Sequence, residues 1–104
     1  FEEWCDLQMA YAYFKMSMKE KAALLLKKYE PVSIETFSIA PAIGVMYWDH
    51  GEIDKALELF EKAKGHIEYV EKTFPSFLIE TLQYRLSKDL VYKKLKEIYL
   101  LKKG

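Results

Sequence analysis

The sequence predicts an all-α fold, and three observations predict it. Gly and Pro are scarce, four and three in 104 residues, while the helix formers Leu, Lys, Glu, Ala and Met are abundant. Apolar residues recur three and four apart along most of the chain, which is the spacing of a helical stripe. No stretch alternates apolar and polar residues as a half-buried strand would.

Each element follows in order. Trp4, Leu7, Tyr11 and Phe14 form one stripe and make helix one. Ser17, three residues before Glu20, fits a capping box that opens a second helix. That helix runs to about Tyr29 with Ala22, Ala23, Leu26 and Tyr29 inward, and Pro31 prevents its continuation. Residues 33–38 lead into a third helix ending near Asp49, with Pro41 in its first turn and Gly51 tolerant of positive φ just beyond. Glu52 to about Lys72 reads as a long fourth helix that buries Ile53, Ala56, Leu57, Phe60, Ala63, Ile67 and Val70. Phe74-Pro75-Ser76 punctuates and starts a fifth, with Phe77, Leu78, Leu82 and Leu86 on its stripe. A turn at Ser87-Lys88-Asp89 leads to a sixth, up to Leu101, whose apolar residues cover more than one stripe.

Composition narrows the function. A length of 104 residues is one domain, and 51% hydrophobic residues supply a core. Sixteen basic residues balance sixteen acidic ones, which argues against a globally basic nucleic-acid binder. A basic end, Arg85 to Lys103, reads as a solvated face before it reads as a binding surface. One cysteine makes no internal disulfide, no run approaches the roughly 20 apolar residues of a membrane span, and no leader is visible, so a cytoplasmic protein is expected. The chain opens on Phe1 without an initiator Met and is expected to be a fragment or a processed product.

Self-similarity is visible within the chain. Placing Leu7 on Ile43 also places Met9 on Val45 and Tyr11 on Tyr47. A slightly shorter displacement puts Glu20 on Asp54, Ala22 on Ala56 and Leu26 on Phe60, which implies a small insertion near the first helix–helix turn. The stretch Ala40, Ile43-Gly44, Tyr47, Gly51, Ala56, Phe60, Ala63 resembles the tetratricopeptide repeat. In that resemblance Gly44 lets the paired helix approach, Gly51 ends a helix, and Ala56 and Ala63 allow tight crossing. The match is good over residues 37–70 and partial over 1–36, where Gln8 stands for the packing glycine and Lys15-Met16 for the turn glycine; over 71–104 it is poor.

The resemblance implies a short right-handed solenoid of antiparallel hairpins with about six helices: a degenerate repeat at 1–36, the best repeat at 37–72 and a capping hairpin at 73–104. It also implies a concave groove lined by the first helix of each pair, here Met9, Tyr13, Val45, Trp48, Ile79 and Tyr84. A protein or peptide partner is expected there, and no cofactor. The last helix leaves Tyr92, Tyr99 or Leu100 for another chain, including a second copy. The chain also resembles, more distantly, the C-terminal repeats of bacterial cytoplasmic peptide-pheromone receptors of the arbitrium type, which implies a regulatory, dimerising role; it has no recognisable helix-turn-helix segment.

Catalytic and metal chemistry find little footing. Asp49-His50-Gly51-Glu52 groups possible ligands, yet a His at a helix C-terminus and an acidic first turn of the next helix explain them without metal. Cys5 has no neighbouring His and reads as a small buried hydrophobe. Glu58 and Lys62 suit an ion pair of small value. No phosphate-binding loop or nucleophile elbow occurs, so an enzyme is not expected.

Overall fold

A computed structural model of the chain describes residues 2–31, 39–73 and 82–103. These form five α-helices, α1 (Glu2–Lys15), α2 (Lys19–Leu26), α3 (Ala40–Asp49), α4 (Ile53–Thr73) and α5 (Leu82–Lys103), with a 3-10 turn, Lys27–Tyr29, extending α2. No strand occurs among the described residues, and the fold is all-α.

α1 packs against α2, α3 against α4, and α4 against α5. α5 is antiparallel to α4: partners rise along α5 as they fall along α4, from Lys88 with Glu71 through Tyr99 with Glu61 to Lys102 with Asp54. It also reaches α3, where the Lys94 ammonium lies 5.4 Å from the Trp48 ring centre. The turn expected at Ser87-Lys88-Asp89 is corrected, since all three residues lie within α5. No Gly or Pro stands there to break the helix, and Lys88 is tied to Glu71 at 2.5 Å. Leu86, expected on a buried stripe, is exposed; Phe77, Leu78 and Ile79 lie outside the described residues.

Both hairpins close through the same turn. Ser17 (φ 60) and Gly51 (φ 82) each take the left-handed conformation. The Ser17 amide donates to the Phe14 carbonyl (3.0 Å) and the Met18 amide to Tyr13 (2.8 Å); Gly51 donates to Trp48 (3.1 Å) and Glu52 to Tyr47 (2.9 Å). This is the Schellman arrangement, in which two amides satisfy carbonyls left open by the ending helix. Ser17 therefore ends α1 and does not cap α2; Met18 holds the N-cap position without a side-chain bond, and the expected capping box with Glu20 does not form.

The shared turn sets one register for the two hairpins. Placing Ser17 on Gly51 puts Ala10 on Gly44, Tyr13 on Tyr47, Ala22 on Ala56 and Leu26 on Phe60 by one constant displacement, with no insertion. The match of Tyr11 to Tyr47 is thereby corrected. Gln8 is exposed, whereas Ala10 is completely buried and stands at the position that Gly44 holds in the second hairpin. Trp4 and Tyr11, expected inward, are also exposed.

One apolar core runs through the helices, from Leu7 and Phe14 through Leu26, Ile43, Phe60 and Ile67 to Val91, Leu95 and Ile98. On α4, Ala56, Phe60, Ala63, Ile67 and Val70 are buried as expected; Leu59 joins them, while Ile53 and Leu57 are half-buried. Gly44 is where α3 and α4 meet, because a Cβ there would lie 2.6 Å from the Phe60 ring. The two hairpins join through Phe14, which stacks on His50 (4.8 Å) and meets Tyr47 edge-on (5.7 Å). Lys19 with Glu52 (3.3 Å) and Lys55 with Glu30 (3.7 Å) flank that junction.

Candidate functional site

Helical geometry places Tyr11 and Phe14 on one flank of α1 and Met9 and Tyr13 on the other. The Phe14 flank is spent on α3, so Met9 and Tyr13 face away from the second hairpin. With Lys21, Leu24 and Leu25 of α2 and Lys28 of the turn that extends it, they line an open depression of about 530 Å³. Leu24 is 74% exposed there and Met9 49%.

The constant displacement carries those six residues onto Ile43, Tyr47, Lys55, Glu58, Leu59 and Lys62 of the second hairpin. There the same six positions line a narrow seam: Leu26, Tyr29 and Glu30 lie over its apolar part, Ile43, Tyr47 and Leu59, and leave only about 20 Å³, while Lys55, Glu58 and Lys62 stay exposed at its edge. That is room for about one water molecule. Ile43, Tyr47 and Leu59 are buried, and the Tyr47 hydroxyl has no hydrogen-bond partner among the described residues. Burial, reinforced by the nearby Glu30, Glu52 and Glu58 charges, pushes its phenol above the ordinary range. Three apolar positions thus occur twice, buried on α3–α4 as Ile43, Tyr47 and Leu59 and less covered on α1–α2 as Met9, Tyr13 and Leu25, where the exposed Leu24 stands at the position of the exposed Glu58.

The covering end of α2 is pinned by Asp6. Tyr29 donates its hydroxyl to Asp6 Oδ2 (2.6 Å), and the Lys28 ammonium lies 2.6 Å from the same oxygen. Lys28, and after it Tyr29, hold the Asp6 carboxyl below the usual value of 3.8. Burial and the carboxylate push the Tyr29 phenol up to about 12, so it remains a donor at neutral pH. A carboxyl whose folded pKa is depressed stabilises fully above its unfolded pKa and loses that contribution as pH falls through the folded value. Asp6→Asn is therefore expected to melt at lower temperature than the parent at pH 7 and to match it in strong acid. Thermal melts between pH 7 and about pH 2 check this, and a gap that persists in acid contradicts it.

The other residues expected in the groove are placed elsewhere. Val45 and Trp48 are half-buried against the core, and Lys94 lies over the Trp48 ring. Tyr84 is half-buried and donates to Glu71 (3.1 Å), its phenol pushed up to about 12 by burial and that carboxylate. Ile79 lies outside the described residues. Met9 and Tyr13 thus share a depression with α2 residues, and neither Val45, Trp48 nor Tyr84 lines it. Tyr92, Tyr99 and Leu100 are exposed and, with Lys64, Leu95, Lys96 and Lys103, line a second depression of about 340 Å³.

Cys5, expected to be buried, is exposed on α1. His50 Nδ1 lies 2.9 Å from the Met46 carbonyl, within its own helix turn. Among the described residues no group of three or more His, Cys, Asp or Glu is placed to hold a metal, and no helix is long and apolar enough to cross a membrane. Comparison with known proteins gives no significant match to a family model, a curated protein or a solved structure. The functional reading therefore rests on the surface itself. Its α2 half, Lys21, Leu24, Leu25 and Lys28, escaped the sequence reading; the constant displacement was the signal that reveals it.

Proposed function

We propose that the chain is a tetratricopeptide-like interaction module, a short stack of helical hairpins that binds a segment of a partner protein and does no chemistry itself. One observation carries this reading: the apolar positions that the end of α2 covers in the second hairpin line an open depression in the first, where Leu24 adds to them. The repeated Schellman turn and the common register support the repeat architecture. Leu24 and Met9 offer the apolar area they still expose, whose burial by a partner is worth about 1–2 kcal/mol per side chain when complete.

The test pairs Met9→Asp with Leu24→Asp. Both side chains are largely exposed, so the double variant is expected to keep the parent's helicity and melting temperature. Partners retained by the immobilised chain are identified by mass spectrometry, purified and titrated against both forms. A partner of this surface is expected to bind the variant at least about tenfold more weakly. Equal affinity for parent and variant ends the reading. Trp48→Ala is a poorer probe than the sequence suggests, since the ring is packed against the core and its loss also lowers stability.

A further inference from the structure

The covered seam on α3–α4 describes the chemistry that fits the open face on α1–α2. Three residues at the end of α2 cover the seam. Leu26 and Tyr29, three apart and both buried, supply the apolar contact. Glu30 follows directly and brings a carboxylate to 3.7 Å from the Lys55 ammonium. The counterpart of Lys55 on the open face is Lys21, which is exposed and forms no ion pair among the described residues. Lys28 and Lys62, the other matched cations, are both engaged, by Asp6 and by Glu58. The open face thus has the apolar floor of the seam, Met9, Tyr13 and Leu25 in place of Ile43, Tyr47 and Leu59. It also has one cation without its carboxylate.

We propose that this face docks the C-terminal end of a helix from a partner protein, one that presents Leu, then Tyr three residues later, then Glu or Asp next to the Tyr. The partner lies across Met9 and Tyr13 as α2 lies across Ile43 and Tyr47, and its carboxylate meets Lys21. A second copy of this chain does not present that helix end. Its Leu26 and Tyr29 are already buried on its own second hairpin. The residues of α4 in the same register are Phe60, Ala63 and Lys64: the first two are buried, and the third would bring a cation to Lys21. The proposal rests on the interaction reading above and gives it a partner chemistry and a polarity.

The probe is a synthetic peptide of sequence Met18–Pro31, which carries the covering triplet in its native spacing. Methyl NMR of the intact chain is expected to show saturable shifts at Met9, Leu24 and Leu25. Lys21→Glu should weaken binding about tenfold, and a peptide with Glu30→Lys should restore most of it to that variant, since the charge pair is only inverted. A Tyr29→Ser peptide should bind more weakly to every form. Absence of shifts at those methyls, or equal affinity of the parent peptide for parent and Lys21→Glu, overturns the proposal. Concentration-dependent shifts of the same methyls without peptide, with sedimentation as a dimer, also overturn it by making a second copy the occupant. A peptide that fails to bind while purified partners still depend on Met9 and Leu24 removes this partner chemistry and leaves the interaction module standing.

Discussion

Truncating Phe60 to Ala is expected to lower stability by about 3–5 kcal/mol, read from urea unfolding. The ring is completely buried and lies against Gly44 at the crossing of α3 and α4, so its removal opens a cavity that two packed helices cannot readily close. For a chain of this size that is a large share of total stability. Gly44→Ala attacks the same contact from the other side: its new methyl would sit 2.6 Å from the ring, and the overpacking, about 1–3 kcal/mol, outweighs the gain of about 1 kcal/mol in helix propensity. The first hairpin shows the compensating choice, with Ala10 and Leu26 where the second has Gly44 and Phe60. Gly44→Ala combined with Phe60→Leu is therefore expected to be more stable than the sum of the two single changes implies. Strict additivity would show that the two sites do not meet as described.

The α3–α4 hairpin was legible because its punctuation is written in residues with one dominant use. Pro41 falls in the first turn of α3, and Gly51 supplies the left-handed residue that ends it. The first hairpin hides the same turn behind Ser17, a residue that fits a helix start by type and here ends a helix instead. With that turn hidden, laying Leu7 on Ile43 assigns the packing position to Gln8, and the three-and-four spacing of Trp4, Leu7, Tyr11 and Phe14 does not tell that Trp4 and Tyr11 are the exposed pair. Ser87 and Asp89 misled in the same way, as turn formers that sit inside α5. The candidate site was half legible: Met9 and Tyr13 stood out on one helix, but pairing them with Leu24 and Leu25 requires knowing how α1 rotates on α2. That rotation follows from the turn.

Replacing Ile98 by Ala is expected to cost about 2–5 kcal/mol, while Leu100→Ala, two residues further on, stays within about 0.5 kcal/mol. Both belong to the broad apolar surface of the last helix. Among its described side chains only Val91, Leu95 and Ile98 are buried, three and four apart, and so form the stripe that seats α5 on α4. The ion pairs along that seam, Lys88 with Glu71 and Lys102 with Asp54, involve partly exposed side chains and are worth at most about 1 kcal/mol each. They orient α5 without holding it. Amide hydrogen exchange separates the two contributions: Ile98→Ala should release α5 amides well before those of α3 and α4, and high salt on the parent chain should not. A comparable loss in Leu100→Ala would mean that α5 docks through its other face. Lys94 would then no longer lie over Trp48, and the fluorescence of that indole, followed in a Trp4→Phe background, would report the change.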